Sequence, residues 1–146
     1  MNNNLLSIHN FKRILLLIFV FIISINLASL YSGGDNNGYI SIYGGIKDLS
    51  IIDSFYLYNY VITTVEFVHF IIVWFVSNLG IDRVLFLSLA NTLLAGLIIK
   101  YFDFLKVNFL VTAAFILTNY YLYVILFTAE RLKFGFICFL LFSSFL

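Results

Sequence analysis

The feature that most constrains this chain is the continuity of its apolar sequence: residues 14–30, 60–79, 84–99, 107–127 and 134–146 are runs almost free of charged side chains. A helix rises 1.5 Å per residue, so crossing ~30 Å of hydrocarbon takes about 20 apolar residues. Water is a poor solvent for such a chain. Of its 146 residues 63% are hydrophobic and 10% charged, against ~45–50% and ~25% in average soluble domains. A domain of ~150 residues also leaves roughly a third of its unfolded surface exposed, so the lipid bilayer is the expected surrounding. Strands are disfavoured because membrane strands alternate apolar and polar residues, whereas 14–20 and 136–142 are apolar throughout. The expected fold class is all-α. It is a polytopic transmembrane helix bundle with four full spans, a truncated fifth and one extracytoplasmic loop at 31–59, in a single integral-membrane domain over 1–146.

Lys12 and Arg13 precede the first run, and Ala28 and Ser29 follow its core, as in a secretory signal. The run is longer than most signal cores and further spans follow, so it reads as an uncleaved anchor. With the N-terminus cytoplasmic, four crossings place Lys12, Arg13, Arg83, Arg131 and Lys133 inside and Lys47, Lys100 and Lys106 outside, the sense of the positive-inside rule. The run 134–146 covers about 20 Å as a helix and has no charged flank after it, which reads as the N-terminal fragment of a larger multispan protein. The net charge of +1 offers no basic surface for nucleic acid. The single Cys138 excludes an internal disulfide or a cysteine metal cluster.

Glu66 and His69 are the costliest residues in the spans, because an ionisable group near mid-membrane must be paired, neutralised or turned toward water. Their i, i+3 spacing places both on one helical face. They read either as a proton-relaying or substrate-orienting pair or as a local hydrogen-bonded pair facing other helices. One Glu-x-x-His copy is too few for a di-iron bundle, and no metal or other cofactor is expected. Ser32-Gly33-Gly34-Asp35-Asn36-Asn37-Gly38 is turn chemistry. In it Asp35 reads as a grip on sugar hydroxyls, a base or an Asx-type turn, and Tyr39 as a ring to stack on a pyranose. In Glu130-Arg131-Leu132-Lys133, the Arg131 guanidinium suits a phosphate, and the alternative is a charged flank snorkelling into the headgroups. Asn91, Thr92, Asn108 and Asn119 read as interhelical hydrogen-bond donors. Trp74, Tyr120, Tyr121 and Tyr123 read as packing or interface anchors.

The order of these pieces resembles the N-terminal part of the O-antigen and exopolysaccharide polymerases of the Wzy/EpsG type. The likeness rests on the basic anchor, the loop Gly34-Asp35-Asn36-Asn37-Gly38-Tyr39, several aromatic-rich spans, and Thr128-Ala129-Glu130-Arg131-Leu132-Lys133-Phe134 opening another. Many relatives have Gln where Leu132 stands. The resemblance implies a multi-pass protein of the bacterial inner membrane, associated with other polysaccharide-assembly membrane proteins. It would join undecaprenyl-diphosphate-linked oligosaccharide units by glycosyl transfer at the outer face. Asp35 and Arg131 would be catalytic, with Tyr39, Glu66, His69 and Lys133 binding substrate. Four-span counting puts Arg131 on the side opposite Asp35, unless the short third run, 84–99, is re-entrant. The competing readings are a transporter or flippase component using Glu66 and His69, and a small membrane protein without chemistry.

Overall fold

The computed structural model describes residues 3–30, 36–63, 66–127 and 129–143. Among these, every regular element is a helix: α1 Asn3–Leu30, α2 Asn36–Gly45, α3 Ile51–Ile62, α4 Phe67–Asn78, α5 Arg83–Phe104, α6 Phe109–Thr118, α7 Tyr120–Phe127 and α8 Glu130–Ser143. The all-helical expectation holds. Two helices are long and apolar enough to cross a membrane, α1 over Asn10–Ala28 and α5 over its whole length, or up to four spans if the bent pairs α3–α4 and α6–α7 each count as one. Their outer faces suit lipid: Ile14, Ile18, Ile22, Leu89 and Leu93 are all about half exposed.

α1 and α5 form the axis of the larger core. Leu16, Val20 and Ser24 are buried at four-residue spacing, a stripe that one helical face produces, and this stripe packs with Ala90, Leu94 and Ile98 of α5. The small Ala90, Ala95 and Gly96 allow close approach, with Gly96 lying against Leu17. Asn91 donates to Ser24 Oγ at 3.2 Å, and Arg13 meets Asp103 at 2.7 Å. Moving backward along α1 thus corresponds to moving forward along α5, and the two helices run antiparallel. Ile116, Leu122, Leu126, Ile137 and Leu140 close this core from α6, α7 and α8. A second core joins α2, α3 and α4 through Tyr39, Ile42, Tyr58, Phe70 and Val73.

The second apolar run differs from expectation, whereas the third is a candidate span as expected. Residues 60–79, read as one span, straddle two 12-residue helices that meet at 116°. Each covers only ~18 Å. The interval between α3 and α4 coincides with a β-branched run in the sequence, 61–65, which is poor in helix propensity, and Thr63 caps α3 in the left-handed region at φ 57°. Residues 84–99, read as a short span, lie within the 22-residue α5, which continues through Phe104 and which Asp82 caps at its start by accepting from Leu85 N at 2.9 Å. In the fourth run Asn119 is the interruption. Its side chain accepts from Leu122 N at 3.0 Å, starting α7 at 65° to α6.

Asn108 likewise accepts from Leu110 N at 2.8 Å, so it too is a helix cap and not an interhelical donor. Thr92 donates back to Ser88 O within its own helix. Of the four polar span residues, Asn91 makes the expected interhelical bond. Tyr120 and Tyr121 are exposed, as interface anchors would be, whereas Tyr123 donates to Leu117 O across the α6–α7 break.

The bundle has two polar ends. Arg13 and Asp103 mark one. At the other, Arg83 donates to both Asn36 Oδ1 and Glu130 Oε2 at 2.8 Å. Arg83 and Asp103 are 20 residues apart on α5, about 30 Å along a helix, which equals the thickness of a hydrocarbon core. The chain is at the Arg83 end when α2 starts and again when α5 starts, so α2, α3 and α4 leave and rejoin the same end. Lys100 and Lys106 therefore go with Arg13, and Arg131 and Lys133, next to Glu130 on α8, go with Arg83. This grouping differs from the one four-span counting produces.

Candidate functional site

At the Arg83 end, five helices bring polar side chains together around Glu130, the first residue of α8. Tyr43 of α2 donates to Glu130 Oε1 at 2.9 Å, and His69 Nε2 of α4 lies 3.3 Å from the same oxygen. Arg83, opening α5, takes Oε2. Tyr58 of α3 reaches His69 Nδ1 at 2.7 Å. One assignment satisfies every member: Tyr58 O–H donates to Nδ1 of a neutral His69, whose Nε2–H donates to the Glu130 carboxylate. Glu130 is 5% exposed and Tyr58 fully buried, so this is an interior network. The Arg83 guanidinium also stands 5.6 Å over the Tyr43 ring, a cation–π distance.

Electrostatics follow from burial and neighbours. Burial pushes the Glu130 carboxyl up, but the His69 hydrogen bond and the Arg83 charge outweigh it and hold it below the usual carboxylate range. Burial, reinforced by Glu130, raises the Tyr43 hydroxyl, so it remains a donor. Lys133, 2% exposed, is pushed down to about 8, first by burial and then by Arg83, with Glu130 opposing. It therefore remains largely an ammonium at pH 7.

Glu66 and His69 do not bond to each other as a local pair. Glu66 stands at the N-cap position of α4 without capping it through its side chain, which accepts from Arg131 at 2.7 Å instead, while His69 turns inward to Glu130. Two adjacent residues of α8 thus separate two residues one turn apart on α4. Arg131 and Glu66 are partly exposed at a cavity of about 400 Å³ whose wall also includes Phe67, Val68, His69, Phe134, Gly135 and Cys138. Tyr39 reaches the same neighbourhood, but its ring is buried edge-on against His69 at 5.4 Å and does not face an open surface. Asp35 lies outside the described residues. Its neighbour Asn36 is held by Arg83.

The structure thus brings Tyr39, Glu66, His69 and Arg131 together, with Lys133 on the buried face of α8. Sequence reasoning missed Asn36, Tyr43, Tyr58, Arg83 and Glu130 as site residues. The available signal was scarcity, because with eight Lys/Arg and seven Asp/Glu in the chain, each charge beside an apolar run needs a partner. Among the described residues, no group of three His, Cys, Asp or Glu is placed to hold a metal ion. The arrangement offers a fixed guanidinium at a mostly apolar cavity and, behind it, a buried hydrogen-bond chain. No family model, curated protein or solved structure matches this chain.

Proposed function

We propose that this chain is part of a membrane glycosyltransferase that polymerises undecaprenyl-diphosphate-linked oligosaccharide units at the outer face of the bacterial inner membrane. The observation that carries this reading is the convergence of Tyr39 and Arg131, 92 residues apart, on the same α4 start through His69 and Glu66. The reaction joins an acceptor hydroxyl to the anomeric carbon of the donor sugar, and the bond from that carbon to diphosphate oxygen breaks. Arg131, oriented by Glu66, meets the charge on the departing diphosphate. Asp35 handles the acceptor hydroxyl, His69 forms part of the wall with Tyr39 packed behind it, and the apolar cavity side suits a polyprenyl chain.

The topology consistent with this reading crosses the membrane at α1, α5 and α6–α7, with α2 to α4 returning to the outer side. The exposed Lys12, Lys100 and Lys106 then fall together in the cytoplasm. A topology reporter fused after Lys133 is expected to report the outer side, and a cytoplasmic signal would remove Arg131 from the site. For the activity, cells without the intact gene are expected to accumulate single-repeat glycans, and Arg131→Ala is expected to do the same at normal protein level. Long-chain polymer persisting without the gene would refute the reading.

The Tyr58–His69–Glu130–Tyr43 chain favours a second reading, a proton-linked transporter or flippase component. That reading expects Glu130→Gln, at normal protein level, to abolish proton-coupled movement with glycan length unchanged.

A further inference from the structure

We propose that α3 lies flat in the headgroup layer of the bilayer, with Ile52, Tyr56 and Tyr60 as its lipid-contacting face. Contacts at the Arg83 end fix the direction of the helix. Asn36 and Tyr43, two turns apart on α2, both meet the one Arg83 guanidinium, the first through a 2.8 Å hydrogen bond and the second through its ring at 5.6 Å. A helix running alongside α5 would meet α5 residues that are likewise two turns apart. Among the described residues, the α5 side chain that packs against the α2–α4 core is Phe86, one turn from Arg83, so α2 crosses the start of α5. α3 returns antiparallel to α2, because Gly38 lies against Val61 and Ile62, Gly45 against Leu57, and Ser54 donates to Ile46 O at 3.5 Å. It therefore crosses the end of the bundle too.

The depth follows from the hydrogen-bond chain. Tyr58 of α3 bonds His69, which reaches Glu130 and through it Arg83, the residue that lies one hydrocarbon thickness from Asp103, about 30 Å. Ser54, Tyr58 and Ile62 are buried at four-residue spacing, and on the opposite side Ile52, Tyr56 and Tyr60 are 65%, 71% and 84% exposed. Tyrosine has an apolar body and a polar tip, which suit it to the boundary between hydrocarbon and water. At 12 residues the helix covers ~18 Å and cannot cross the bilayer. Its one charged residue is Asp53, whose carboxylate accepts from Ser50 Oγ at the N-terminal end. No cationic side chain on α3 draws in anionic lipid, so its partner is a zwitterionic headgroup layer. The inference rests on α5 crossing the bilayer and stands apart from the glycan reading.

The test uses the full chain with Cys138→Ser, which removes the single native thiol, in phosphatidylcholine vesicles free of anionic lipid. Single spin labels on Ile52→Cys, Tyr56→Cys and Tyr60→Cys, all exposed positions, report depth by paramagnetic resonance, from accessibility to oxygen against a water-soluble nickel chelate. Leu89→Cys, half exposed on α5 and about 9 Å beyond Arg83 along the helix, is the control. The three α3 labels are expected at headgroup depth, differing by less than half of the about 12 Å that eight residues climb in an upright helix, with the Leu89 label in the hydrocarbon. With Leu89 deep, a graded depth that approaches the full rise, or α3 labels as open to the chelate as in water, would overturn this proposal alone. A Leu89 label at the surface would overturn the α5 span and this proposal with it.

Discussion

Replacing Glu130 with Ala tests whether this residue organises the Arg83 end. Its carboxylate accepts from Tyr43, His69 and Arg83, three residues on three other helices. The side chains of Glu130 and Arg83 are only 4% and 13% exposed, so solvent screening is weak. Removing one partner of such a pair costs about 3–5 kcal/mol, because the other charge stays buried, and the two remaining donors each lose about 1 kcal/mol. A combined loss of roughly 5–7 kcal/mol follows, comparable to the whole stability of a marginal domain. Glu130→Gln retains an acceptor oxygen and should lose only about 1.5–3 kcal/mol. Unfolding of the full chain in mixed micelles by titration with a denaturing detergent measures both. In the double variant Glu130→Ala with Arg83→Met no orphaned guanidinium remains, so its loss should fall short of the summed single losses by ~1–3 kcal/mol. A loss below ~1 kcal/mol for Glu130→Ala, or strict additivity in the double variant, would refute the account.

Lys133 titrates lower in the folded chain than in the unfolded one, at about 8 against an ordinary lysine value of 10.5. Between these pH values the unfolded chain binds the extra proton, so stability should rise with pH across that window. Lys133→Met should remove the rise, as unfolding at several pH values will show. Gly80 sits at φ 67° with nothing within 4 Å of an added Cβ, so Gly80→Ala should cost about 1 kcal/mol by backbone strain alone, read from the same unfolding assay. Asn119→Ala removes the cap that starts α7 and should cost about 1 kcal/mol, with amide exchange accelerating at Leu122. Ser24→Ala strips the acceptor from buried Asn91, whereas Ser24→Ala combined with Asn91→Leu should be closer to neutral. Equal losses in these two variants would mean that the pair contributes nothing as a pair.

The helical class was legible in residues such as 14–20 and 136–142, because an unbroken apolar run allows few solutions once its length approaches the bilayer. Some of the polar chemistry was legible too. Arg131 and the Glu66 and His69 positions stood out because charges are rare and costly in such surroundings. Their partners did not stand out. Helical spacing puts Glu66 beside His69, yet α4 begins only at Phe67, and α8 offers each a better partner from more than 60 residues away.

Asn108 and Asn119 illustrate the same division. An asparagine within an apolar run is read as glue between helices, but its side chain satisfies the nearest free amide when the helix starts there. Composition and periodicity determined by themselves that this chain makes apolar helices with few charges between them, since those depend on local sequence and on the solvent. Only the tertiary structure decided where helices 3 and 4 turn back, that Arg13 and Arg83 mark opposite ends, and that Glu130 gathers Tyr43, His69 and Arg83. Pairing across tens of residues depends on which helices are neighbours in space, and spacing along one helix carries no record of that.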